Sequence, residues 1–123
     1  MYQRDIEKLE NIINDRKRAH KYLMAKKSKI YEAFLLMEKA AYTTDVLERK
    51  HKELIAIGVS IVTDCESCLE WHIGQALKSG ATNRQIIEAI EVAIEMGAGP
   101  AAVSSRFALQ VLEYYTKGRN ASA

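Results

Sequence analysis

Apolar side chains recur every three or four residues along nearly the whole chain, and no alternating apolar–polar run of strand length interrupts them. That period predicts helix throughout. A first helix is expected from about Gln3 to Met24, with Ile6, Leu9, Ile13, Ala19 and Leu23 on its buried side. A second, near Ser28 to Tyr42, carries Ile30, Phe34, Met37 and Ala41 at helical spacing. Thr43-Thr44-Asp45 breaks it and supplies caps for a third, Val46 to Val62. From Leu54 onward that third helix is apolar nearly all round, the mark of a central element. Glu53 and Ser60 make a thin polar stripe along it. Thr63-Asp64 offers a cap for a fourth helix that ends at Gly80. Thr82 to Gln85 has the spacing of a capping box for a fifth. There Ile86, Ile90, Ala93, Ile94 and Gly97 face inward, and Glu88, Glu91 and Glu95 face out. Gly97-Ala98-Gly99-Pro100 ends it, and Pro100 suits the first turn of a sixth, whose core stripe is Val103, Phe107, Val111 and Tyr114. The fold class is therefore all-α, with about six helices.

Composition narrows this to one globular unit. The 123 residues are 48% hydrophobic, which fits a single domain over residues 1–123, with its core near 46–115 and amino-terminal helices at 3–42. So short a chain leaves a large share of its surface uncovered, and a homo-oligomer is expected. Eighteen basic residues against sixteen acidic ones give +2, no signature for nucleic acid or a membrane surface. One local imbalance stands out: Arg16, Lys17, Arg18, Lys21, Lys26, Lys27 and Lys29 fall in a stretch without an acid. It lacks the aromatic interleaving of a nucleic-acid patch and reads as a solvated helix face. The charged amino terminus is no signal peptide, and no apolar run reaches the roughly 18 residues of a membrane helix. A cytoplasmic location is expected. There a lone Cys-x-x-Cys is catalytic or metal-binding rather than a permanent staple.

Both cysteines lie in Cys65-Glu66-Ser67-Cys68-Leu69-Glu70-Trp71-His72. On a helix over 64–80, Cys65, Cys68, Leu69, His72, Ile73, Ala76 and Leu77 share one face, and Glu66, Ser67, Glu70 and Gln75 lie elsewhere. Residues three apart on a helix have Cα atoms about 5–6 Å apart, within reach of a disulfide. Cys65 falls in the first turn, where the helix dipole favours its thiolate. Cys68 and His72 are one turn apart, close enough to exchange a proton. These parts support a cycle in which one thiolate attacks a hydroperoxide or a protein disulfide. The other cysteine resolves the product, and an external dithiol restores both thiols. His72 would supply the proton, and Glu53 is the carboxylate best placed to orient it. Zinc held by Cys65, Cys68 and His72, with Glu53, His51 or His20 as fourth ligand, is the chemical rival. With no second Cys/His pair, dithiol redox is preferred, and no metal or cofactor is expected.

The spacing Glu53, eleven residues, Cys65-x-x-Cys68, three residues, His72 resembles the alkylhydroperoxidase D (AhpD) core of the carboxymuconolactone decarboxylase-like family. The likeness runs from about Val46 to Tyr115 and includes Glu53-Leu54-Ile55-Ala56 and the Gly80-Ala81-Thr82 turn. It implies an AhpD-like orthogonal helical bundle assembled as a trimer or hexamer. It also implies an alkylhydroperoxide or disulfide reductase that uses neither haem nor flavin. The reductant would be a dithiol such as a lipoyl-bearing or thioredoxin-like protein. The family's thiol–proton relay maps onto Glu53, Cys65, Cys68 and His72, with Cys68 linked to the relay and Cys65 as its resolving partner. The family often has a second histidine where this chain has Ser67, which cannot titrate near neutrality. Decarboxylase-type acid–base chemistry has no need of a dithiol. An oligomeric helical scaffold without catalysis is the remaining alternative.

Overall fold

The computed structural model describes residues 1–122, and among them every regular element is helical. In chain order these are α1 (Gln3–Ala25), α2 (Lys29–Tyr42), α3 (Arg49–Val62), α4 (Glu66–Lys78) and α5 (Asn83–Ser122). Six separate helices were expected and five are found. The break expected at Gly97-Ala98-Gly99-Pro100 is a kink inside α5, where Ala98 takes φ 55° and ψ −136°. The chain turns there but resumes its helix at once. Pro100, which has no N–H to donate, follows the kink, where a helical partner is missing anyway. A Cβ on Gly97 would lie 2.6 Å from that of Ala101, so the tight bend requires glycine.

Local chemistry fixes the ends of the elements. Ser28 Oγ accepts the Tyr31 N–H at 3.1 Å and caps α2. Thr44 Oγ1 accepts the Arg49 N–H at 3.0 Å, which starts α3 three residues later than the expected Val46. The capping box at α5 forms in both directions: Gln85 N–H to Thr82 Oγ1 at 3.1 Å, and Thr82 N–H to Gln85 Oε1 at 3.0 Å. Helix α4 stops at Gly80, whose φ of 95° suits a residue without a side chain.

The core is built from α3, α4 and both limbs of α5. Ile57 and Ile61 of α3 meet Leu69, Ile73 and Leu77 of α4, and Ile86, Ile90, Phe107 and Val111 of α5. From α1 only Leu9 is fully buried, and Ala19, expected inside, is exposed. Helix α2 buries no side chain fully. Its expected inner face of Ile30, Phe34, Met37 and Ala41 is exposed, and Tyr31, Leu35, Glu38 and Tyr42 turn inward instead. The two stripes differ by one residue on a helix that rests lightly on its neighbours, so its own periodicity does not decide which side packs. Val103, also expected inside, is exposed.

Candidate functional site

The connection from α3 to α4 positions the cysteines. Thr63 ends α3, and Asp64 follows with φ 52°. The Asp64 N–H reaches Ile61 O at 3.1 Å, and the Cys65 N–H reaches Ser60 O at 2.9 Å. This is a Schellman closure with Asp64 in the left-handed position that glycine more often fills. Asp64 Oδ1 accepts the Ser104 hydroxyl at 2.8 Å, which ties the turn to α5. Cys65 is therefore not in the first turn of α4, as the sequence suggested, but is its capping residue. Its Sγ accepts the Cys68 N–H at 3.2 Å.

The two cysteines are joined as a disulfide, with Cα atoms 5.2 Å apart. Both are partly buried. One turn further along α4, His72 places Nδ1 2.7 Å from Glu53 Oε1, across the α3–α4 contact. Glu53 is 1% exposed, and its other oxygen lies 3.4 Å from Arg49 Nε. An ionised carboxylate only accepts, so His72 Nδ1 carries the hydrogen and Nε2 is left to exchange protons. Arg49 is held in turn by Gln75 Oε1 at 2.8 Å.

Two hollows open on the pair formed by Cys68 and His72. One, about 470 Å³, lies against α3 and includes Lys52, Ile55 and Val59. The other, about 550 Å³, lies against α1 and α2 and includes Trp71 and Phe34. Cys68 lines both hollows and Cys65 neither. All four residues singled out from the sequence thus gather at one place: Glu53, Cys65, Cys68 and His72. His51, the exposed alternative zinc ligand, is not among them, and His20 bonds Tyr31 instead. No group of three or more His, Cys, Asp or Glu side chains able to hold a metal occurs among the described residues.

A profile of the carboxymuconolactone decarboxylase family matches residues 28–111, more than half the chain. The chain belongs to the carboxymuconolactone decarboxylase family. An uncharacterised protein of the cox locus of Paracoccus denitrificans is 45% identical over 84 residues, 68% of this chain and 76% of its own length. An uncharacterised protein of Cupriavidus necator is 37% identical over 83 residues, 68% and 71% of the two chains. A family member from Legionella pneumophila, solved in its apo form, superposes with TM-score 0.84 at 26% identity, covering 89% of this chain and 97% of that one. A Thermotoga maritima member has the same fold, with TM-score 0.82 at 22% identity over 91% and 95% of the two chains.

Sequence reasoning missed three residues that pack in and around this family member's α3–α4 region. The Tyr42 ring lies 5.1 Å from that of His72, tilted by 37°. Burial and the charges of Glu53 and Glu38 push its phenol above the usual range. Arg49, at i−4 from Glu53, was a signal that could have been read. Glu70 gave none: expected on the polar side of α4, it is 1% exposed. Arg16 of α1 forks onto it at 3.1 and 3.3 Å, and the Tyr115 hydroxyl of α5 donates to it. Those partners are 54 and 45 residues away, beyond any local pattern.

Proposed function

We propose that this chain is a thiol-dependent peroxidase of the AhpD kind, with Cys68 as the attacking thiol and Cys65 as the resolving one. The carrying observation is the 2.7 Å contact between His72 and the buried Glu53, beside a cysteine pair close enough to bridge. Access supports the order, because Cys68 lines both hollows.

The steps balance as follows. The Cys68 thiolate attacks the outer oxygen of ROOH. The S–O bond forms, the O–O bond breaks, and the departing alkoxide takes a proton from His72 to leave as ROH. The Cys65 sulfur then attacks the sulfenic acid and expels water, which leaves the disulfide. An external dithiol reduces it by two exchange steps and is itself oxidised to a disulfide. The proton given to the alkoxide is the one His72 Nε2 first takes from the Cys68 thiol, and Glu53 steadies the imidazolium in between. With a protein disulfide in place of the hydroperoxide, Cys68 forms a mixed disulfide and releases one thiol; Cys65 then attacks the Cys68 sulfur, releases the second thiol and leaves the same internal disulfide.

One equivalent of hydroperoxide added to the fully reduced protein should consume both thiols and leave the mass lower by two hydrogens. The Cys65→Ser variant should stop at a Cys68 sulfenic acid that dimedone traps. Unchanged thiols in the wild type would reject the mechanism. Trapping at Cys65 in the Cys68→Ser variant, with none at Cys68 in the reverse variant, would exchange the two roles.

A further inference from the structure

The hollow between α1, α2 and α4 contains more than the relay uses. Its volume of about 550 Å³ falls within the roughly 300–1,000 Å³ of small-molecule sites. Cys68 and His72 are in its lining. Phe34, Leu35 and Trp71 form apolar walls, and Phe34 is 49% exposed although it was expected in the core. Arg16 lies over the Trp71 ring at 4.6 Å while forked to Glu70, so it steadies that wall and its charge is already engaged.

The lining also includes basic groups. Lys17 and His20 are among them, at the start of the acid-free stretch of α1. Lys17 makes no ion pair among the described residues. His20 Nδ1 is 2.6 Å from the Tyr31 hydroxyl, which fixes its ring. Glu38 is the acid of this hollow. It also lines the neighbouring hollow with Arg49 and Glu53, which places it beside the relay. Tyr31 and Glu38 are seven residues apart on α2, and helix geometry makes that about 10 Å. Positive charge, an apolar wall and the reactive sulfur thus follow one another along a length close to that of an eight- to ten-carbon chain, taking an extended backbone of ~1.2 Å per bond.

We propose that this hollow binds amphipathic carboxylates, and that its reacting substrate is a hydroperoxide carried on a medium-length fatty acid. The carboxylate pairs with Lys17 and His20, the chain lies on Phe34 and Trp71, and the peroxide meets Cys68. The chemical step is the one written above, with a hydroxy fatty acid as ROH and the same external dithiol as reductant. The reacting part rests on the peroxidase reading; the binding part does not.

Trp71 is the single tryptophan of the chain, so its fluorescence reports occupancy directly. The full-length protein and its Cys65→Ser/Cys68→Ser variant would each be titrated with decanoate, 1-decanol and decyltrimethylammonium below their micellar concentrations. Decanoate should give a saturable change in both proteins, with affinity about tenfold above decanol, the worth of one charge-assisted hydrogen bond. Lys17→Gln and His20→Gln should each erase most of that difference and leave decanol unchanged. Equal binding of acid and alcohol, preference for the ammonium, indifference to Lys17, or no saturable change would overturn the proposal. Decanoate bound normally by a protein that never reduces hydroperoxides would sink the peroxidase reading and the reacting part with it, and leave the binding part standing. Turnover of uncharged cumene hydroperoxide without decanoate binding would sink this proposal alone.

Discussion

At the scale of single residues, the informative contrast is between two buried carboxylates. Glu53 was legible because its distance from the cysteines matches a known spacing and it stands at the edge of an apolar run, on a stripe with Ser60. Glu70 was not, since a glutamate on a helix is most often solvated and its partners come from remote segments. Glu53→Gln keeps the shape but lets His72 adopt the wrong tautomer. Peroxide turnover should fall by about 10²-fold or more, the usual worth of a positioned proton donor, with the single-turnover thiol count unchanged at long times. Tyr115 offers a test by pH. Burial first, then its hydrogen bond to Glu70 and that group's charge, push its hydroxyl well above the ordinary phenol range, with Arg16 opposing. The folded state therefore retains this proton longer than the unfolded chain does. Its contribution is complete below pH ~10, where the unfolded phenol titrates, and is lost as pH rises through the higher folded value. Tyr115→Phe should flatten the alkaline loss of stability in urea titrations above pH ~10. At pH 7 it should cost about 1–3 kcal/mol, because Glu70 loses a donor.

At the scale of elements, ends were easier to read than faces. The capping box at Thr82 and the stop at Gly80 rest on chemistry within four residues, and both are found. The inner face of α2 rests on what the rest of the chain offers it, and was misread. The start of α4 was misread for a related reason. Asp64 serves the preceding helix as a left-handed terminator, so capping passes to Cys65. A β-branched residue resists that backbone. Asp64→Val should cost about 1–3 kcal/mol, and melting should drop by roughly 3–5 °C per kcal/mol for a chain of this length. Cys65 would be misplaced as well, so peroxide turnover should fall with it. Asp64→Gly should restore the turn and most of the rate, losing chiefly the Ser104 contact.

For the whole molecule, the all-helical architecture was read correctly from periodicity, and the helix number was missed only because α5 bends where a separation was expected. Among the described residues, no helix is long and apolar enough to cross a membrane. The chain leaves Ile55, Val59 and Val62 of α3 exposed, with Val92 and Met96 of α5. Exposed apolar side chains gathered on a small domain suit a protein–protein contact. We propose that a homo-oligomer covers them, a trimer or hexamer being the forms the sequence resemblance implies. Sedimentation at micromolar concentration should give a multiple of 13.9 kDa. Val59→Glu should shift it to the monomer, and a wild-type monomer would refute the assignment.

The cap on α4 has one more implication. The atom that closes the bridge also accepts the amide of its own partner, so reduction would change the acceptor at the opening turn of that helix. A thiolate left at Cys65 is a stronger acceptor than a bridged sulfur, and the Cys68 amide would exchange with deuterium more slowly once the protein is reduced. Slower exchange at that one amide on reduction, measured without any substrate, is the expected outcome; unchanged exchange would refute it.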